Sequence, residues 1–220
     1  MPLRQRPTDM IMYIPKHFAD PNTAKAAEII KTYPFAILMT SSSSGASPEV
    51  THLPLLIRDT PSGPCLIGHV ARANPHWKMF DGKTSAVAIF SGPDAYVSPT
   101  WYDTPEMVPT WNYAAVHVHG CPIAMDDMTA ARAALADLVA AFESPETGNW
   151  SMDRLTEERI QRQLKAIVAF EMPIENIESK LKLSQNRSAA DIEGVTRALM
   201  NSPHEGDRET ARMMLDAQSG

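Results

Sequence analysis

The stretch Gly68-His69-Val70-Ala71-Arg72-Ala73-Asn74-Pro75-His76-Trp77-Lys78 carries the densest chemistry in the chain. A strand pattern ends, Arg72 follows, and Asn74-Pro75 opens a helix, since Asn caps and proline suits the first turn. Free N–H groups at a helix start, beside a planar guanidinium, suit phosphate oxygens. The alternative is an ordinary capped turn with Arg72 in solvent. Local pattern alone leaves both readings open.

Three other places hold candidate chemistry. Trp111 and Asn112, inside Val108-Pro109-Thr110-Trp111-Asn112-Tyr113, could border a flat heterocycle by stacking and edge hydrogen bonds. A packed aromatic corner is the simpler alternative. His117 and His119 are two apart on a strand and so share a face. No third ligand at matching spacing accompanies them, so no metal site is assigned and a hydrogen-bonded pair is expected. His52 is expected to be a satisfied core or pocket histidine. Finally, Lys180-Leu181-Lys182-Leu183 reads as a strand with one solvated face, and Ser184 to Arg187 as a compact turn rich in donors.

Familiar catalytic signatures are missing. There is no Gly-x-Ser-x-Gly elbow, no Walker loop and no Gly-x-Gly-x-x-Gly. Cys65 and Cys121 lack a neighbouring base in sequence and read as buried thiols of a reducing compartment, the cytoplasm. No catalytic residue is named.

The elements that must position these groups follow from punctuation. The 18 prolines and only 10 glycines favour many short elements. A helix from Asp20-Pro21 to Pro34 precedes a strand at Phe35 to Thr40. A serine turn, Ser41 to Ser47, leads to a second strand, Glu49 to Arg58, completing a hairpin. Strands are expected at Cys65 to Val70 and Thr84 to Phe90. Gly92 to Pro109 reads as an ordered loop holding a short strand near Ala95 to Ser98. Another strand spans Ala114 to Ala124. Helical periodicity begins at Asp126, and a second helix covers Met152 to Gln163. Ala166 to Glu171 and Ile177 to Leu183 read as late strands, and Ser188 to Gly220 as two short helices broken near Asn201 to Gly206. The class is α+β, mainly β: an antiparallel split β-barrel flanked by helices, with a helical C-terminal tail. Residues 1–187 are expected to form the barrel domain and 188–220 an extension.

Composition bounds the function. The 220 residues carry 20 Lys and Arg against 26 Asp and Glu, a net charge of −6. That balance opposes wide contact with nucleic acid phosphates. No apolar run reaches the ~20 residues of a membrane helix, and Met1 to Asp9 lacks an apolar signal core.

Together these blocks resemble the PaiB-type FMN-binding negative transcriptional regulators. The matching residues are Met12-Tyr13-Ile14-Pro15-Lys16-His17-Phe18, Thr51-His52-Leu53-Pro54-Leu55, the Gly68 to Pro75 segment, Phe90-Ser91-Gly92-Pro93-Asp94-Ala95-Tyr96, Pro109-Thr110-Trp111-Asn112-Tyr113 and Lys182-Leu183-Ser184-Gln185-Asn186-Arg187. The resemblance implies a split barrel related to the pyridoxamine-phosphate-oxidase-like flavin binders, dimeric, with FMN at the subunit interface. It implies Arg72, Asn74 and Lys78 near the FMN phosphate, with His69 and Trp77 as neighbours. It implies Trp111 and Asn112 near the ring or on the adjoining strand, and Gln185 and Arg187 reaching the flavin across the dimer. Regulation is the function it implies. An FMN-dependent oxidoreductase or flavin reductase, and a haem-binding protein, are the alternatives. DNA is a possible partner that the charge does not support.

Overall fold

The computed structural model describes residues 12–20, 23–41 and 47–219. The expected serine turn lies largely outside them, as does Pro21. The described chain runs α1 (Thr23–Thr32), β1 (Phe35–Thr40), β2 (Glu49–Pro54), β3 (Leu56–Thr60), β4 (Gly63–Ala71) and β5 (Ala86–Val97). It continues with β6 (Thr110–Gly120), β7 (Ile123–Ala124), α2 (Met128–Phe142), α3 (Glu157–Lys165), β8 (Ile167–Pro173) and β9 (Asn176–Lys182). The helices α4 (Ala189–Met200) and α5 (Glu205–Ser219) end it. One sheet has the order β2-β1-β5-β6-β9 and the other β3-β4-β8-β7. The sheets are separate, and the pairings of β1, β3, β4 and β7 are antiparallel.

Two compact units make up the chain. The first is built from Tyr33–Phe90 and Val118–Ile177, the second from Thr8–Thr32, Ser91–His117 and Glu178–Gly220. In the first unit the expected strand Glu49 to Arg58 is instead two strands. Pro54 has no N–H for a ladder, and Leu55 turns away, its N–H donating to the Pro34 carbonyl at 2.9 Å. Thus β2 pairs with β1 in one sheet, while β3 pairs with β4 in the other. Leu55 at this corner is fully buried. A Cβ on Gly68 of β4 would stand 2.5 Å from Leu55 Cδ2 and 3.3 Å from the Phe170 ring, so an added methyl would displace the Leu55 side chain. The opposite face of β4 carries Cys65 and Ile67, packed on Ala134 of α2. Both cysteines are buried free thiols.

His52 departs from expectation. Thr51 and Leu53 turn inward on β2, which leaves His52 exposed, its ring 6.4 Å from that of Phe35. The short helix expected from Asn74-Pro75 is present as a 3-10 turn over Pro75–Met79, capped by Asn74.

β5 carries the chain from the first unit into the second without a break, so the loop expected from Gly92 is mostly strand. Its buried positions switch from Ala86, Ala88 and Phe90 to Pro93, Ala95 and Val97. The parity changes at Ser91–Gly92, where the chain leaves the first unit. β6 starts four residues before the expected Ala114, which puts Trp111 and Asn112 on a strand. In this unit α4 and α5 bury Val195, Leu199, Ala211 and Met214. A Cβ on Gly194 would lie 2.2 Å from the Trp101 carbonyl oxygen, so α4 can seat on the Pro99–Trp101 turn.

Asp191, in the first turn of α4, fastens that helix to the preceding loop. Its Oδ1 accepts from the Asp103 and Thr104 N–H groups, each at 2.9 Å, and its Oδ2 from the Thr104 hydroxyl at 2.7 Å. The Thr104 N–H, then its hydroxyl, hold the carboxyl down to about 2. A depressed carboxyl stabilises the fold above its unfolded pKa, about 3.9, and loses that contribution as pH falls toward the folded value. Thermal melts of wild type and Asp191→Asn should therefore differ at pH 7 and converge between about pH 4 and 2. Equal melting temperatures at pH 7 would show the latch to be idle.

Candidate functional site

In the first unit the Arg72 turn is held from several sides. As β4 ends, the Arg72 N–H donates to the Ala166 carbonyl at 2.9 Å. Arg72 Nε and Nη2 then donate to the carbonyls of Lys165 and Ile167 at 2.9 and 2.8 Å, across the α3–β8 junction. Its guanidinium carbon sits 5.8 Å from the Trp77 ring, whose Nε1 donates to the Arg72 carbonyl at 3.0 Å. The guanidinium is exposed yet fixed, and its Nη1 has no protein acceptor among the described residues. Lys78, four residues after Asn74, is exposed as well.

Beneath this turn lies a polar chain that the spacing did not reveal. Asn74 Oδ1 accepts the His76 N–H at 3.0 Å, and Asn74 Nδ2 donates to Thr51 Oγ1 at 3.1 Å. Thr51 Oγ1 is 2.8 Å from His76 Nδ1, and His76 Nε2 is 2.7 Å from Thr40 Oγ1. A proton on Nε2 satisfies the whole chain: Asn74 donates to Thr51, Thr51 to Nδ1, and Nε2–H to Thr40. His76 is fully buried, and burial pushes its pKa below the ordinary value, opposed by Glu49. Asn74 is thus a structural cap, its Oδ1 on the His76 N–H and one Nδ2 donor on Thr51. The five-residue turn is too short to act as a helix-terminus anion site, and its His76 N–H is taken. Thr40 and Thr51 sit on β1 and β2, so signals for them are visible only once the hairpin is built.

His69 lies apart from this chain. It pairs across from Ala169 on the α2-facing side of β4, where Cys65 and Ile67 also point. Its Nδ1 is buried without a partner, and burial lowers its pKa.

The second unit holds the remaining expected residues. Trp111 is 53% exposed on the outer face of β6, its ring edge-on to Tyr96 at 5.8 Å. Asn112 points the other way and is buried. Its Nδ2 donates to Ser184 Oγ at 2.9 Å and to Met214 Sδ at 3.4 Å, tying β6 to the turn after β9 and to α5. Gln185 braces its own turn, accepting the Leu183 N–H at 2.7 Å and donating to the Leu181 carbonyl at 2.6 Å. Arg187 lies 5.5 Å from the Tyr102 ring centroid with Met107 Sδ at 3.9 Å. Lys182, expected on a solvated edge, is instead half-buried and donates to Thr110 Oγ1 at 2.6 Å and to the Trp111 carbonyl.

Comparison with known proteins fits this geometry. The chain matches the family model described as "Putative FMN-binding domain" over residues 12–176. It is 32% identical over 205 residues to "Protease synthase and sporulation protein PAI 2" of Bacillus subtilis (strain 168), covering 93% of this chain and 97% of that protein. Among solved structures, the FAD and haem binding protein from Mycobacterium smegmatis aligns with a TM-score of 0.59 at 16% identity, covering 79% of this chain and 78% of that one. The flavocytochrome Anf3 from Azotobacter vinelandii aligns with a TM-score of 0.58 at 16% identity, covering 74% and 69%. At such identity the structural likenesses speak for the fold, the expected α+β split-barrel class with a helical C-terminal region. With the family model matching most of its length and the PAI 2 likeness nearly all of it, this chain belongs to the FMN-binding-domain family.

Proposed function

We propose that this protein binds FMN and works as a flavin-responsive regulator, as a homodimer in the cytoplasm. The observation that carries the reading is the Arg72 turn: an exposed guanidinium, locked by two backbone carbonyls and a tryptophan ring, with free donors left over and Lys78 exposed nearby. Such a group receives a phosphate at little ordering cost, because its rotamer is already set. FMN, when bound, supplies the redox chemistry, and the protein's part is to hold and orient it. Asn74 serves by shaping the turn and Trp77 by fixing Arg72. The solved flavin proteins named above support a flavin pocket on this fold by analogy.

The regulatory part rests on the PAI 2 likeness. α4 and α5 hold three Arg against six Asp and Glu, which repels DNA phosphates. Regulation is therefore proposed to pass through another partner. The alternative, a flavin oxidoreductase, would use the same turn.

Three outcomes are expected. Titration with FMN, followed by flavin fluorescence, should give a Kd about tenfold weaker for Lys78→Ala and for Arg72→Ala, while riboflavin, which lacks the phosphate, binds all three proteins alike. Unchanged FMN affinity in both variants sinks the phosphate assignment.

Thr51→Val leaves the Asn74 amide and His76 Nδ1 unpaired, a cost of about 1–3 kcal/mol read by denaturant unfolding, and weakens FMN without touching it. Because His76 has a lowered folded pKa, the stability from its neutral form is complete above about pH 6.5 and declines as pH falls below that. A wild-type unfolding midpoint that stays level from pH 7 to 5.5 would contradict this.

The outer face of the β1–β2 hairpin exposes Phe35 at 66% and Val50 at 46%, a natural dimer contact. Sedimentation should report twice the 24.2 kDa chain mass, falling to one chain in Phe35→Asp. A wild-type monomer would refute the dimer.

A further inference from the structure

β6 and β9 are neighbours in one sheet, and side chains on one face of each meet in series. Lys182 donates to Thr110 and to the Trp111 carbonyl, and Lys180 lies 5.4 Å from the Tyr113 ring centroid. Two residues back along the same face of β9 the charge reverses, and Glu178 stands where His117 and His119 of β6 arrive. One ligand atom from each residue, an imidazole nitrogen from either histidine and a carboxylate oxygen, lie within 4.8 Å of one another. The spacing on β6 offers two metal ligands by itself. The third comes from a strand far along the chain, so it shows only once β9 is laid beside β6.

The fold fixes each member of the trio. The Glu175 N–H donates to the His119 carbonyl at 2.9 Å, which holds the end of β6 against the chain entering β9. Both carboxylate oxygens of Glu178 accept the Met12 N–H, each at 3.2 Å, and this sets the plane of the carboxylate. Each oxygen has a further lone pair to give. All three residues also make an interaction within the fold. That suits a ligand set, because a ligating imidazole gives one nitrogen to the ion and uses the other to hold its orientation. His117 and His119 are half-buried, so an ion can enter from solvent. At bonds of about 2.1 Å, tetrahedral ligand atoms stand roughly 3.4 Å apart, so side-chain movements of about 1 Å close the set. Two histidines and a glutamate suit zinc with one position left open, whereas calcium and magnesium favour oxygen ligands.

We propose that His117, His119 and Glu178 bind a divalent first-row transition-metal ion, Zn²⁺ being the best match to the donor set, with water in the fourth position. The ion bridges β6 and β9 and, through Glu178, borders the segment that begins at Met12. The site shares no residue with the phosphate contacts proposed at the Arg72 turn. It therefore stands or falls separately from them.

The test uses untagged full-length protein, stripped of metal with a chelator and exchanged into chelator-free buffer. Zn²⁺ is titrated by calorimetry and in competition with a fluorescent zinc chelator. Wild type should take up one ion per chain saturably, and the bound ion should raise its Tm. His117→Ala, His119→Ala and Glu178→Gln should each weaken Zn²⁺ at least about tenfold and remove the rise in Tm. Glu178→Gln keeps an acceptor for the Met12 N–H and covers the case in which a histidine variant fails to fold. His52→Ala, which removes an exposed imidazole on β2, should bind Zn²⁺ within about twofold of wild type. Absence of saturable uptake by wild type overturns the proposal. Affinity within about twofold of wild type in all three ligand variants overturns it too, as does a loss in His52→Ala as large as theirs.

Discussion

His76 has no exposed surface and no charge to spare, yet it joins three segments that are distant in sequence. Through Thr40 and Thr51 it ties the 3-10 turn to both strands of the β1–β2 hairpin, and its own N–H donates to the Asn74 cap. A neutral imidazole can serve because one nitrogen donates while the other accepts. A protonated one would present two donors to an arrangement built for one. The buried chain is fully satisfied, so it rigidifies the turn rather than burdening it. Arg72 and Trp77 ride on that turn, and the exposed cations inherit their placement from an interior hydrogen-bond chain.

The second unit handles its polar groups differently. Asn112, Ser184 and Met214 form one satisfied buried set, as do Asp191 and the loop at Thr104. Lys182, by contrast, is half-buried and donates to neutral oxygens of Thr110 and Trp111, and Arg187 lies against the Tyr102 ring and the Met107 sulfur.

Much of the element order could be read in the sequence, because caps and periodicity are local. Asp127 before α2, Thr156 before α3 and Ser188 before α4 each accept backbone N–H groups, although α3 starts at Glu157 and not at the expected Met152. The misreadings have one physical origin, the choice made by tertiary pairing. Leu55 breaks a plausible single strand because Pro54 cannot serve a ladder and the two halves pair with different partners. Gly92-Pro93 looks like a stop, but β5 runs through it from Ala86 to Val97. His52 stands on the exposed face of β2 for the same reason, since a one-residue change of phase reverses every side chain on a strand. Arg72, Trp77 and Lys78 could be singled out together because they are close in sequence. The Thr40–Thr51–His76 chain was not, because its members meet only after the hairpin forms. Asn112 and Gln185 matched a family pattern that tells nothing about which way a side chain points.

The central claim is that a prefixed Arg72, supported from below by neutral His76, receives the phosphate of FMN. The most direct measurement is the phosphorus NMR spectrum of FMN bound to the full-length protein, followed with pH. A free phosphate monoester changes charge near pH 6. A phosphate held by Arg72 and Lys78 should stay dianionic well below that, so its resonance should remain constant between about pH 8 and 5, and should titrate again in the Arg72→Ala, Lys78→Ala double variant. A bound-FMN resonance that titrates in the native protein as it does in free FMN would contradict the account.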